Sequence, residues 1–243
     1  MSSCSYHLRR EALLSLLVTY SHLATATCDP ADTTIRIQQR GPNVSEYSIR
    51  CPVCGEGNLN VRSMLYPIPF FNQLVMFLID CPFCHFSEND VFSAEERRPS
   101  RWTMRVDNPS LLNTRVVRSG SGTVRLPEFG IDIEPGAAAE SYISNIEGVL
   151  LRARPVIESA VRFADQERQK KRGRKVLSMI DKAMKGRMPF TLIIEDPVGV
   201  SGIIPDDMRL VEYEELSAAE ASQLKGAPLW LDEVRSGYAE RKG

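Results

Sequence analysis

The stretch Cys51-Pro52-Val53-Cys54-Gly55 is answered by Cys81-Pro82-Phe83-Cys84-His85, with residues 55 to 80 between the two cysteine pairs. A Cys-x-x-Cys turn folds into a knuckle that sets two sulfurs side by side. Two knuckles supply the four thiolates of a tetrahedral zinc site, with Zn–S distances near ~2.3 Å. Gly55 suits the position after a second cysteine, where the backbone needs positive φ. His85 holds the equivalent place and fits that conformation less well than glycine. With four thiolates present it is not expected to be a ligand. Between the knuckles, Leu59 to Leu65 and Gln73 to Asp80 read as strands. The run Pro67-Ile68-Pro69-Phe70-Phe71 separates them, because proline has no donor for a central ladder. Two knuckles joined by a hairpin describe a zinc ribbon, placed at residues 45–98. Four protein ligands, Cys51, Cys54, Cys81 and Cys84, fill the coordination shell of one Zn2+ per chain, so the ion is structural and not a Lewis acid. Such sites bind with apparent energies of about 10–16 kcal/mol, as large as a small domain's whole stability. Metal removal is therefore expected to unfold this region.

Composition narrows the class of protein. The chain has 243 residues, 43% hydrophobic and 25% charged, in the ordinary globular range. Lys and Arg number 30 against 31 Asp and Glu, a formal net charge of −1, unlike the strong positive charge of most domains devoted to nucleic-acid backbones. No apolar run nears the ~20 residues of a membrane helix. A reduced thiolate site in a chain long enough to bury a core without staples points to the cytoplasm. Cys4 and Cys28 stand apart from the pairs. Residues 1–44 read as an extension, either without fixed structure or helical along the stripe Leu8, Ala12, Leu16 and Tyr20, and less well as a cleaved leader.

Beyond the ribbon, Trp102, Met104 and Val106 alternate, and Arg115-Val116-Val117, Val124-Arg125-Leu126 and Ile131-Asp132-Ile133 are strand-like, with turn residues between them. This spacing predicts an antiparallel sandwich or barrel. The period then changes. Ile143, Ile146, Leu150, Ile157, Val161 and Ala164 recur at helical spacing, with Pro155 expected to kink or divide the run. A second helix carrying Val176, Leu177, Ile180, Met184 and Met188 is expected after the charged stretch Gln166 to Lys175, with Gly173 at the break. Strand pattern resumes at Phe190 to Glu195 and Met208 to Tyr213. The expected organisation is a β domain at 99–206 with a helical hairpin inserted at 137–187, then a strand and tail at 207–243. The fold class is α+β, mostly β.

Four groups of residues resemble the ZPR-type zinc-finger proteins of archaea and eukaryotes, in their short form with one copy of the module. They are Cys51 to Gly55; Ile68-Pro69-Phe70-Phe71 leading to Cys81 to Cys84 and Asn89-Asp90-Val91; Arg115 to Ser119 with Pro127-Glu128, Glu134-Pro135-Gly136, Glu147-Gly148 and Leu150-Leu151; and Phe190 to Pro197 with Gly199 and Ser201. The resemblance implies a ribbon followed by a double-stranded β-helix domain bearing a helical hairpin. It also implies a role in binding translation elongation factor 1-alpha and assisting its folding. His85 departs from the family's usual Gly, and Val200 from its usual Asn.

The residues favour binding over catalysis. A histidine-metal oxygenase needs histidines in the barrel segments, whereas His7, His22 and His85 are the chain's three. Glu195 and Asp196 have no accompanying nucleophile and read as a strand end entering the Pro197–Gly199 turn, with partner contact as the second option. Ile68, Phe70 and Phe71 sit on a ribbon loop and are candidate anchors for a protein partner or, if packed inward, cement between ribbon and barrel. The alternative is a nucleic-acid-binding ribbon using Arg168, Lys170, Lys171, Arg172, Arg174 and Lys175 at the hairpin tip.

Overall fold

The computed structural model describes residues 38–226, apart from 42, 43, 94, 96, 137, 138 and 140. The expected helix in residues 1–44 and the end of the tail lie outside the described residues. The first sheet is antiparallel, in the order β1 (Gln38–Gly41), β2 (Val44–Arg50), β3 (Asn58–Ile68), β4 (Asn72–Asp80) and β5 (Ser87–Ser93). It therefore begins inside the stretch read as an extension. β3 also runs further than expected, through Pro67, which faces Gln73 of β4. The proline is tolerated because β2 reaches along β3 only as far as Met64. Past that point β3 has β4 alone as its neighbour, and no second ladder asks for the missing donor.

Two further sheets form the barrel. One has the order β13 (Val211–Glu215), β6 (Ser100–Val106), β11 (Phe190–Asp196), β8 (Thr123–Leu126), β9 (Ile131–Ile133), and the other β10 (Tyr142–Asn145), β7 (Arg115–Arg118), β12 (Gly202–Ile204). All pairs are antiparallel. Alternation in β6 buries Trp102, Met104 and Val106, as its sequence requires. Residues 208–210, read as strand, form a 3-10 turn capped by Asp207 before β13 starts. The two sheets enclose one apolar core in which Met104, Val116, Leu126, Leu192, Ile194 and Ile203 are buried. Ile68, Phe71, Leu74 and Val91 of the ribbon sheet belong to that same core. A smaller cluster of Cys51, Leu59, Val61, Ile79 and Cys81 lies at the sheet's other end.

The hairpin consists of α1 (Ile146–Phe163) and α2 (Glu167–Met184). Asn145 caps α1 by accepting from Gly148 N–H at 2.8 Å. Pro155 does not divide the run: it lies inside α1. The bond lost there would have used the carbonyl of Leu151, on an exposed part of the helix that solvent can reach. The charged stretch is likewise helical. Lys and Arg are good helix formers, so α2 starts at Glu167 and the hairpin turns at residues 164–166. Gly173 is not at a break but inside α2, where an added Cβ would come within 2.2 Å of Val161 Cγ2. Its missing side chain lets the two helices approach. No helix among the described residues is long and apolar enough to cross a membrane.

Candidate metal centre

The first knuckle joins β2 to β3 and the second joins β4 to β5, so two hairpin ends of one sheet face each other. Each knuckle closes in the same way. Cys51 N–H donates to Gly57 C=O at 2.8 Å and Gly55 N–H to Cys51 C=O at 2.8 Å; Cys81 N–H donates to Phe86 C=O at 2.8 Å and His85 N–H to Cys81 C=O at 2.9 Å. Gly55 has φ +70° and His85 φ +59°, so the histidine does adopt the left-handed conformation that glycine takes in the other knuckle. The knuckles pack closely: a Cβ on Gly57 would lie 2.5 Å from Phe83 Cβ and 3.1 Å from Cys81 Sγ.

This packing brings the four sulfurs within 4.8 Å of one another. Cys51 Sγ and Cys84 Sγ are 3.9 Å apart, as are Cys54 Sγ and Cys81 Sγ. That separation is far from the ~2.05 Å of a disulfide and close to the ~3.8 Å edge of a tetrahedron with Zn–S bonds of ~2.3 Å. Cys51 and Cys81 are buried, and Cys54 and Cys84 half-buried. Among the described residues this is the one cluster that could hold a metal; His85 lies outside it and is exposed. In the metal-free thiol set, the Gly57 and Glu56 amides hold Cys54 down at about 6, while burial pushes Cys51 up. At Cys54 the amide dipoles aimed at sulfur favour the thiolate, the form that binds metal, whereas Cys84 as well as Cys51 is pushed up. Four soft anionic ligands in tetrahedral disposition select zinc and leave no position for water.

Glu195 and Asp196 are both buried and engaged in internal bonds. Glu195 on β11 accepts from Arg101 Nε at 2.8 Å and Arg125 Nε at 2.6 Å, and its side chain is buried. Burial alone would raise its carboxyl pKa, but the bonds from Arg125 and Arg101 outweigh that and hold it below the usual range. Asp196, with 0% of its surface exposed, accepts from six donors. These are Ser119 Oγ (2.7 Å), Ser121 Oγ (2.8 Å), Val198 N (2.8 Å), Val200 N (3.1 Å), Ser201 N (2.8 Å) and Ser201 Oγ (2.6 Å). It pins the 197–201 turn to the 119–121 turn at one end of the barrel. Val200, where the resemblance implies Asn, turns its side chain into the core and contributes only its amide here.

The loop residues divide. Ile68 and Phe71 are buried in the barrel core and are the cement between ribbon and barrel. Phe70 is 45% exposed. Its ring meets Trp102 edge-on at 4.7 Å and Tyr213 at 5.2 Å, and Arg97 stands 5.1 Å above it. Phe70 has φ +71°, a strained value for a bulky residue. Arg97 Nη2 secures it by donating to Phe70 C=O at 2.9 Å. Tyr213 and Arg97, which complete this aromatic face, carry no mark in sequence because they come from β13 and from the connection between ribbon and barrel. The cations expected at the hairpin tip lie instead along α2. There Arg168, Lys171, Arg172, Arg174 and Lys175 are exposed, and Lys170 pairs with Glu167.

The pattern of the ZPR1 zinc-finger domain matches residues 43–99, and that of the ZPR1 jelly-roll domain residues 110–223. A ZPR1-like protein of Methanocaldococcus jannaschii is 38% identical over 183 residues, covering 75% of this chain and 91% of the relative. A ZPR1-like protein of Pyrococcus horikoshii is 38% identical over 182 residues, 73% of this chain and 80% of the relative. The zinc finger chaperone zpr1 of Schizosaccharomyces pombe is 29% identical over 174 residues, 68% of this chain but 36% of the relative. The chain thus spans most of the archaeal proteins and about a third of the eukaryotic one. With a four-cysteine site built for one structural zinc and a jelly-roll barrel behind it, the chain belongs to the ZPR1 family of zinc-finger proteins.

Proposed function

We propose that this protein is a cytoplasmic, non-enzymatic binding module that captures a protein client, translation elongation factor 1-alpha, and assists its folding. The observation that carries this is the half-exposed Phe70 face, held in a strained conformation by Trp102, Tyr213 and Arg97 at the end of the ribbon sheet that packs into the barrel core. A rigid aromatic presented to solvent loses little conformational freedom on binding and is the usual kind of anchor at an interface. The chaperone name of the fission yeast relative supports a client of this type. The barrel interior is filled by apolar side chains, and the acidic pair that might have served as acid and base is committed to internal bonds. The test is capture of purified elongation factor by the zinc-loaded chain and by Phe70→Ala. Truncation is expected to weaken capture about tenfold or more with the metal content unchanged; equal capture would refute the anchor. A second reading rests on the exposed α2 cations and predicts oligonucleotide binding with a steep salt slope, lost when Arg172 and Arg174 are neutralised.

A further inference from the structure

Residues directly opposed in an antiparallel sheet share a face, and the register of the ribbon sheet sorts its side chains into two unlike faces. On one, the end near the knuckles is polar: Arg62 pairs with Asp80 at 3.0 Å and Asn60 donates to Asp80 at 3.1 Å. The other end of that face, with Ile68, Leu74 and Val91, is buried in the barrel core. The opposite face is apolar along its length. Leu59 and Val61 of β3, Val75, Phe77 and Ile79 of β4, and Phe92 of β5 all lie on it. Among the described residues, the apolar cluster on this face draws on the sheet itself and on knuckle residues such as Val53 and Phe86, and on none of the barrel. Val75, Phe77 and Phe92 are half-buried, and the two phenyl rings meet edge to face at 5.7 Å. A sheet with one apolar face takes a second layer to cover it.

The chain carries a segment suited to that place. β1 is the edge strand beside β2, and it starts at Gln38 and runs away from the knuckles, so the chain arrives from the metal end of the sheet. In the residues before it, seven of the eleven from Leu8 to Val18 are apolar, and Leu8, Ala12, Leu16 and Tyr20 share one side of a helix. We propose that residues 8–23 form this layer, a helix laid across the apolar face of the ribbon sheet that keeps the face closed to other chains. At ~1.5 Å per residue such a helix is about 24 Å long, enough to cross five strands ~4.8 Å apart. Residues 24–37 remain as the connection to β1. Arg9 and Arg10 open the helix and complement Glu88, which stands beside Ile79 on the same face. A segment joined to the sheet it covers also has the advantage of effective concentration over any separate partner. The Phe70 face is at the opposite end of the sheet, so the inference does not rest on the elongation factor.

Hydroxyl-radical footprinting read by mass spectrometry reports which side chains of the zinc-loaded full chain meet water. Phe77 and Phe92 are expected to label weakly in the parent and severalfold more in the double variant Leu13→Glu, Leu16→Glu, with zinc content unchanged. A second measurement leaves the apolar character of the segment intact. With the substitution Leu16→p-benzoylphenylalanine, illumination is expected to join the segment to β4 or β5 of the same chain. Should the double variant lose its zinc, this cross-link decides alone. Equal labelling of parent and variant overturns the inference, as does a cross-link to the barrel or the hairpin, or none at all. A cross-link between two chains also overturns it, by assigning the face to a second copy. So does labelling of the parent that falls only when another protein is added, which assigns the face to a partner.

Discussion

Replacing Asp196 by alanine removes the acceptor of six internal hydrogen bonds at a site with no solvent to take over. The three hydroxyls have alternatives, because Ser119 Oγ already lies 2.9 Å from Ser121 Oγ and 3.1 Å from Ser201 Oγ. The amides of Val198, Val200 and Ser201 cannot turn. At about 1–3 kcal/mol for each donor left unpaired, the loss is roughly 3–9 kcal/mol, a large part of the ~5–15 kcal/mol that holds a domain together. Asparagine offers a graded comparison. It can keep an oxygen where Oδ2 accepts from four donors and place its NH2 where Oδ1 stood. Ser121 Oγ can reorient to accept from that NH2, and the Val198 amide is then the one donor left over. Asp196→Asn is accordingly expected to lose about 1–3 kcal/mol. Urea denaturation of zinc-loaded protein, followed by tryptophan fluorescence to which the buried Trp102 contributes, measures both. An alanine variant within about 1 kcal/mol of the parent, or an asparagine variant as damaged as the alanine one, would refute the hub assigned to this carboxylate.

Zinc chelation should unfold only part of the ribbon. Amide exchange should accelerate around Leu59, Val61 and Ile79, which pack near the metal, while Leu74 and Val91 stay protected within the barrel core; uniform loss across the sheet would contradict the two-core description. The depressed carboxyl of Glu195 sets a pH dependence. Its ion pairs contribute fully above the unfolded value of ~4.3 and are lost as pH falls through the lower folded value, so the stability gap between the parent and Glu195→Gln should narrow as the solution is acidified. Zinc affinity should also fall on acidification, because protons compete for the four thiolates; a metal-binding titration checks this. Gly173→Ala gains up to ~1 kcal/mol of helix propensity. It also drives a methyl into Val161, at a cost of about 1–3 kcal/mol. A lower midpoint in thermal unfolding is expected, and a higher one would mean that the helices have room to part.

What could be seen in advance followed from features local in sequence. The cysteine spacing announced the knuckles and their metal, and the alternation at Trp102, Met104 and Val106 announced β6. The misses have physical reasons. β5 reads Ser-Glu-Asn-Asp-Val-Phe-Ser, a polar edge strand with little alternation, and β12 is three residues buried on all sides. β10 lies immediately before α1 and its Ile143 fits the helical period by accident. The beginning of α2 has no apolar stripe because it projects from the barrel, and only intrinsic propensity marks it. At the aromatic face, Phe70 was visible but its setting was not, since Tyr213 and Trp102 are brought beside it by pairing between β6 and β13.

Strand β6 lies between β11 and β13, so its two neighbours come from residues 190–196 and 211–215. During synthesis the ribbon sheet, complete by residue 93, leaves the ribosome well before either of them. The nascent chain can take up its ion and close its knuckles early, and the inner ends of β3 and β4 must then wait, with Ile68, Phe71 and Leu74 uncovered, for the last strand to arrive. Until that strand arrives, apolar surface that the finished barrel covers stays open to water.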